Sequence, residues 1–444
     1  MSFISPIRFI PVISLLTLFC VNAYPVENND RFIDINTCVR LGLINNTDIK
    51  IVQKDVDIAE QKVYEAGALI YPRAELNFNF SRYDAKQMFL LPPNFGSTFL
   101  PPNLKPEPEA SDYYSTRISV YQDIYSAGRH LGTLLTAKAS LDRMRNQLAQ
   151  LKDIVAYDIK QGYYQTVYHS LRIKRYRQAL TVIEKSIADY TSKLRNAGNE
   201  DLSRAQVLLS ELRSMYYRAE QDFRAGKLKL NHTAGLDLAN DYILDENLKY
   251  KPVDVEISKC LAWAFRYRPE LKQIRAQEDI DAVSINLAVA HKYPTIFFGF
   301  NYEIAGDVFP FPEKNWNATV NINLPVFDGW AGNIRQRQVE INAEKGRLRR
   351  GEYENLVEYD VRAAYNVMAY RQNDVNIRDT AVKEQQKVVD ALTTKLAGAD
   401  TQLIQFIQSQ LDLLTSQDKY FQAITDAMAA RAKLEQSMGK SIVE

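Results

Sequence analysis

"NWNATVNINLPVFDGW", residues 315–330, alternates two kinds of side chain: Asn317, Thr319, Asn321 and Asn323 carry amides or a hydroxyl, while Trp316, Ala318, Val320, Ile322 and Leu324 between them are apolar. Successive side chains of an extended strand point to opposite faces, so this stretch reads as a strand with one uncharged polar face and one apolar face. Three other stretches share the pattern. In "AELNFNFSRY" Leu76, Phe78 and Phe80 alternate with Glu75, Asn77, Asn79 and Ser81, and in "TIFFGFNYEI" Ile296, Phe298, Phe300 and Tyr302 alternate with Gly299, Asn301 and Glu303, Phe297 being a misfit. "YYSTRISVYQ" alternates more weakly, with Ile118 and Val120 against Arg117 and Ser119. The expected strands are 74–83, 113–122, 295–304 and 316–326.

These strands sit inside a duplicated chain. Tyr71-Pro72 and Tyr293-Pro294 align at a shift of about 222 residues that also superposes Cys38 on Cys260, and "VAYDIKQGYYQTVY" from Val155 matches "VEYDVRAAYNVMAY" from Val357 at a shift of about 202. The difference is taken up by residues 85–112, which hold six of the 16 prolines and form a long loop, opposite the shorter "AGDVFPFPEK" of the second copy. Repeats of this length indicate an internally duplicated fold and not a solenoid, hence a pseudo-twofold protomer. The expected division is residues 1–23, a first repeat at 24–240, a linker at 241–256 and a second repeat at 257–444.

Elsewhere the period is helical. Leu134, Leu141, Leu148 and Val155 lie seven apart, and Ala137, Met144 and Leu151 follow at an offset of three, which is the seam of a coiled coil. No proline interrupts residues 129–195; a continuous helix there reaches about 100 Å at roughly 1.5 Å per residue.

Composition narrows the functional classes. Of 444 residues, 25% are charged and 46% hydrophobic, as in folded proteins. Lys plus Arg (55) nearly equals Asp plus Glu (54), so no basic field draws the chain to nucleic acid. Arg8, the apolar run from Phe9 to Val21 and the small residues ending at Ala23 read as a secretory signal over residues 1–23; the run is well short of the roughly 20 residues that span a bilayer. Phe19 stands before Cys20 where a lipid-acceptor site requires a small residue, so no lipid is expected there. The signal removed, Cys38 and Cys260 remain, too few for a disulfide scaffold; repeat-equivalent positions lie too far apart to bridge, and free buried thiols are expected.

An ordinary sandwich turns a Lys- and Glu-rich face to water, whereas these strands offer mostly amides and hydroxyls on one side and Phe, Ile, Val and Trp on the other. A membrane β-barrel accounts for both faces, because lipid requires every backbone group to be paired within a closed sheet, apolar side chains outward and polar ones toward a watery lumen. The lumen face then carries Glu75, Asn77, Asn79, Arg117, Asn301, Asn317, Asn321 and Asn323. Tyr71, Tyr125, Tyr293 and Phe327 at one end of the strands, and Tyr83, Tyr114, Tyr302 and Trp316 at the other, form interfacial girdles. The alternative is a soluble β-sandwich capping a coiled coil, with the same aromatics as core. Four strands cannot close around water, since about eight are needed even to fill a barrel with side chains, so a membrane protomer must oligomerise.

The apparent signal, the duplicated helix–strand–loop–strand–helix plan, "YP" before each first strand, "LPVFDGW" with its fainter partner "QDIYSAG", and the closing Gly235 and Gly439 together resemble the TolC-type outer-membrane efflux and secretion channels over nearly the whole mature chain. The resemblance implies a mainly α protomer with a transmembrane β portion: a homotrimer whose four strands per chain build a twelve-stranded barrel in outer-membrane lipid, continued by a periplasmic α-helical barrel, a coiled-coil tunnel. It implies as partners a periplasmic adaptor (membrane fusion protein) and an inner-membrane pump, proton-driven or ABC, with no cofactor. The helical tips fall near 195–206 and 396–410. Where the family's prototype carries two aspartates three apart at its narrowest aperture, this chain has Gln405 and Gln408; Asp201, which is repeat-equivalent to Gln405, and Asp400 are the acidic alternatives, although Asp201 is equally suited to stabilising a helix N-terminus.

Catalysis finds no footing. His130, His169, His232 and His291 stand singly, and no phosphate-binding glycine loop, GxSxG or paired Cys motif occurs. Tyr157-Asp158 and Tyr359-Asp360 recur in both repeats on helices, where interhelical hydrogen bonding explains them. Two readings remain: an export channel, for drug or metal efflux or type I protein secretion, and a periplasmic coiled-coil scaffold without a pore.

Overall fold

In the first repeat of the computed structural model β1 (Phe32–Ile33) leads into α1 (Ile35–Asn45) and α2 (Thr47–Ala68), then β2 (Arg73–Tyr83), β3 (Ser111–Tyr125), α3 (Arg129–Lys193) and α4 (Asn199–Thr233). The second runs β4 (Ile243–Leu244), α5 (Ile257–Tyr267), α6 (Pro269–Ala290), β5 (Thr295–Gly306), β6 (Glu313–Asn323), α7 (Ala331–Ala397) and α8 (Leu403–Met438). The structure describes residues 32–83, 111–193, 199–239, 242–248, 250–306, 313–397 and 403–442. The signal segment, most of the 85–112 loop and Asp400 lie outside the described residues.

The duplication is visible element by element. α1 and α5 each have 11 residues, and α2 and α6 each have 22. Local chemistry starts each helix in its own way. Asp34 accepts from the Thr37 amide and Asn46 from the Ile49 amide, whereas α6 begins with Pro269 at its first position, where a missing N–H costs nothing. Both repeats close on a left-handed glycine. Gly235 (φ 63°) lets the Leu236 amide reach back to the Asn231 carbonyl, and Gly439 (φ 62°) does the same for Lys440 and Glu435.

The seam continues as a core. α3 has 65 residues and α7 has 67, each about 100 Å long at roughly 1.5 Å per residue. Leu141, Leu148 and Val155 are buried, and Ile159, Tyr163 and Val167 carry the stripe onward against α1, α2 and α4. The second repeat has its own cluster around Val357, Val361, Leu434 and Met438. Cys38 and Cys260 are both free and buried, one in each cluster; burial pushes the Cys38 thiol up to about 12, so it is inert.

Several boundaries differ from the sequence pattern. β6 spans 313–323 instead of 316–326, because Pro325 has no amide for the ladder and holds Leu324 out of register, while Glu313, Lys314 and Asn315 pair with Ala305, Ile304 and Glu303. β3 runs longer than 113–122, since strands on both sides satisfy its backbone. The expected linker at 241–256 contains β4, which pairs in parallel with β1, and Ile33 and Leu244 are buried with the first core.

A methyl group on Gly235 would lie 2.6 Å from the Asn45 carbonyl oxygen, whereas on Gly439 its nearest contact is 3.1 Å. Gly235→Ala is therefore expected to destabilise the protein by about 2 kcal/mol or more, and Gly439→Ala by less, the order being read from urea unfolding midpoints followed by circular dichroism.

Candidate functional site

Four strands form one antiparallel sheet in the order β2-β3-β5-β6, and its register decides which side chains share a face. Glu75 lies opposite Ser119, Ser119 opposite Asn301, and Asn301 opposite Asn317. One step along, Asn77, Arg117, Glu303 and Asn315 form a second row, and Asn79, Ser115 and Ala305 a third. Side chains directly opposite in an antiparallel pair project from the same face, so Glu75, Asn77, Asn79, Arg117, Asn301 and Asn317 lie together, joined along β6 by Thr319, Asn321 and Asn323. Phe297 sits between Asp123 and Asn321 on this polar face, which is why it breaks the alternation.

The opposite face is largely apolar, interrupted by Thr116, Gln122 and the exposed Lys314. Its rows include Leu76, Ile118, Tyr302 and Trp316, then Ala74, Val120, Phe300 and Ala318. Phe78 is 75% exposed, and Leu76, Phe80, Trp316, Val320 and Ile322 are exposed as well. Each costs about 1.5–3 kcal/mol in water relative to burial, so this face belongs against lipid or protein. Near the helices, Tyr71, Tyr125, Tyr293 and Phe327 are exposed, as are Tyr114 and Trp316 at the far end; Tyr302 is half-buried. Trp330, which the alternation did not single out, joins the near ring: its backbone is left-handed (φ 69°), and its indole meets Phe327 edge-on at 6.5 Å between ring centroids. Such aromatics mark the polar–apolar boundary of membrane proteins.

One ion pair crosses the polar face. Arg117 donates from Nη2 to both carboxylate oxygens of Glu303, at 3.0 and 3.1 Å, so it is half of a neutral cross-strand pair and not a lone cation. Asn301 donates to Asn317 at 2.9 Å. At the foot of β3, His130 and Asp123 share a 2.8 Å contact.

At the other end of the long helices both hairpins finish in one apolar cluster, with Ala205 and Leu212 of α4 against Leu403, Phe406, Ile407 and Leu414 of α8. Asp201 is exposed in the first turn of α4 beside Glu200, which pairs with Arg204. Gln405 and Gln408 share an exposed line on α8, while Phe406 and Ile407 face inward. That line continues at heptad spacing through Asp412, Thr415, Lys419 and Gln422, a narrow polar stripe on a helix buried on its other sides.

Sequence reasoning missed a buried charge network that ties the repeats together midway along the helices. Asp418 of α8 accepts from the Tyr176 hydroxyl at 2.5 Å and from Arg172 Nε at 3.3 Å, and its other oxygen lies 3.4 Å from Arg175 Nη2. The Arg175 guanidinium stacks 3.9 Å from the Phe421 ring centroid, and Arg172 also reaches Asp222 of α4 at 3.3 Å. Burial raises the Asp418 carboxyl and lowers Arg175, and it pushes Tyr176 up to about 12. No signal in "RIKRY" separates these residues from a solvated helix face. Asp418→Asn would take the carboxylate from the half-buried Arg175 while Arg172 keeps Asp222, and is expected to cost about 1–3 kcal/mol, measured by denaturant unfolding.

Among the described residues no group of three or more His, Cys, Asp or Glu side chains is placed to hold a metal ion, and no helix is long and apolar enough to cross a membrane. No protein-family model matches the chain, and no curated protein matches it by sequence. Its fold does match solved structures. The Campylobacter jejuni CmeC outer membrane channel is 12% identical over 91% of this chain and 85% of that one, with a TM-score of 0.76. The outer membrane protein VceC of Vibrio cholerae is 13% identical over 92% and 96% (TM-score 0.73), and the Neisseria gonorrhoeae MtrE outer membrane channel, in its open state, is 12% identical over 91% and 89% (TM-score 0.74). The chain therefore has the protomer fold of solved outer-membrane channels, the fold that the resemblance to TolC-type channels implied.

Proposed function

We propose that the chain is one protomer of a trimeric outer-membrane exit duct that takes substrates from a periplasmic adaptor and an inner-membrane pump to the exterior and itself catalyses nothing. The observation that carries the reading is the sheet register, which gathers the amides on one face and leaves large apolar side chains exposed on the other. A water-lined, lipid-faced barrel satisfies both faces at once.

Subunit number follows from closure. β2 and β6 each have one partner among the described residues, so each offers an open edge. The repeats meet inside the protomer at β3 against β5; the same junction between copies sets β6 against β2 of the next chain. Two copies supply eight strands, about the number whose side chains fill a barrel, and three supply twelve, the smallest closed set that leaves a lumen. Glu75, Asn77, Asn79, Asn317, Asn321 and Asn323 then line the pore, with the Arg117–Glu303 pair adding little net charge. Asp201, Gln405 and Gln408 stand at the aperture end. A coiled-coil scaffold without a pore leaves the apolar sheet face unexplained.

Purified protein is expected to leave the outer membrane only with detergent and to give ionic conductance in a planar bilayer; recovery in the soluble periplasmic extract without conductance would establish the scaffold instead. Phe78→Lys puts a charge on the lipid face, at a cost of about 2–4 kcal/mol near mid-bilayer, and should abolish insertion, whereas Asn79→Lys should insert normally and shift ion selectivity toward anions. A photo-crosslinker at exposed Gln405 distinguishes the cargo classes, through capture of an adaptor together with a proton-driven pump or with an ABC exporter.

A further inference from the structure

The polar line on α8 carries its charges in a fixed order. Gln405, Gln408, Asp412, Thr415, Lys419 and Gln422 are its exposed positions, and Asp412 and Lys419 stand seven residues apart. On α4, Glu211 and Arg218 are likewise exposed and seven apart. α4 and α8 close their repeats on Gly235 and Gly439; counted back from these glycines, Glu211 corresponds to Thr415 and Arg218 to Gln422, so both belong to the equivalent line of the first repeat. α3 sets the heights. Tyr176 donates to Asp418 of α8, and its neighbour Arg177 donates to Tyr216 of α4 at 3.0 Å, so Asp418 and Tyr216 stand level. Counted from these two anchors, Glu211 stands at the height of Asp412 and Arg218 at the height of Lys419. The acidic tier is nearer the tip, and the basic tier lies about 10 Å farther up at roughly 1.5 Å per residue.

The side of the wall follows from what covers α8. Ile424 packs with Leu248 and Tyr250 of the segment after β4, and Met438 with Cys260 and Ala264 of α5. Ile424 is five residues beyond Lys419, a step that turns the helix by about 150° at roughly 3.5 residues per turn, so the charged line lies across the helix from these covers. In the ring proposed above the covered side is the outer one, because three copies of α1, α5 and the β1–β4 pair on the inner side would fill the tunnel. The charged line therefore faces the lumen. Among the described residues none of the four side chains makes an ion pair or a side-chain hydrogen bond within its own protomer, whereas neighbouring charges on α7 cancel in pairs, Lys383 with Asp379 and Lys387 with Glu384.

We infer that Asp412 with Glu211, and Lys419 with Arg218, form two opposed charge tiers in series along the tunnel, a filter that favours cargo that is uncharged or bears both signs. The acidic tier repels anions and the basic tier repels cations, so neither kind of small ion passes freely. Their separation matches the screening length of about 10 Å at 0.1 M salt, so each tier keeps its own field and the two do not cancel at one point. Opposed tiers in series also make the tunnel electrically asymmetric. A voltage that drives cations from the acidic tier toward the basic one, and anions the other way, gathers both ions between the tiers; the reverse voltage empties that region. Current is then larger at one polarity.

The inference rests on the duct proposed above, and planar-bilayer recordings separate the two. In about 0.1 M potassium chloride the parent protein is expected to carry more current at one polarity, an asymmetry that fades toward 1 M, where the screening length falls to about 3 Å. Lys419→Gln with Arg218→Gln should shift the potassium-to-chloride permeability ratio several-fold toward potassium, Asp412→Asn with Glu211→Gln several-fold toward chloride, and either pair should remove the asymmetry. Lys419→Cys gives a second reading on channels already inserted: a positively charged thiol reagent should return the parent ratio, and a negatively charged one should move it further toward potassium. Buried Cys38 and Cys260 do not interfere. Channels that conduct, but whose ratio and asymmetry move with none of these changes, would overturn the filter and leave the duct standing. Parent protein that gives no conductance would overturn both.

Discussion

Backbone left unpaired among the described residues at the two edges of a four-stranded sheet is the constraint on which the rest of this structure turns. Each open edge offers a row of N–H and C=O groups, each of which costs several kcal/mol if it is left unsatisfied in hydrocarbon. The sheet therefore needs further strands of the same length and twist, and a second copy of the chain offers them through β6 and β2. In the proposed assembly, closing the sheet carries the helices into a ring. β3 continues within a few residues into α3, and β6 leads through the turn at Gly329 and Trp330 into α7.

Duplication makes this closure economical in sequence. In the proposed ring one junction geometry would serve both within the protomer and between protomers. Inside the chain, where the connection is covalent, Arg143, Gln150, Gln273 and Gln277 join the repeats by polar contacts that set register with little hydrophobic gain. The outer flanks of α2 and α7 expose isoleucine and leucine at other positions, among them Ile51, Ile58, Ile341 and Leu348. Farther down the helices the buried Asp418–Arg172–Arg175 network again joins α3 to α8, which fixes the position of α8 and its polar stripe relative to the first repeat.

Strand polarity and the repeat were legible in the sequence because both are local periodicities: Leu76, Phe78 and Phe80 announce their face without any knowledge of partners. The free state of Cys38 and Cys260 followed from repeat equivalence. Features that depend on distant residues were not legible. Arg117 reads as a lone cation until the sheet sets Glu303 opposite it, 186 positions along the chain. Asp418 and Arg175 read as surface charges until α8 is laid against α3. β6 slipped by three residues from its expected bounds because apolar alternation continues through Leu324, where Pro325 has already ended the hydrogen-bonded ladder. At the tip, Asp201 and Gln405 are both exposed, on α4 and α8 respectively.

The claim that the amide face lines water and the aromatic face meets lipid is tested most directly by scanning β6. Single cysteines placed in turn from residue 316 to residue 323, in protein reconstituted into liposomes, would be treated with a membrane-impermeant thiol reagent. The account predicts fast labelling at 317, 319, 321 and 323 and protection at 316, 318, 320 and 322, as the strand register requires. Uniform labelling along the strand, or labelling of the 316 series alone, would contradict a water-filled barrel.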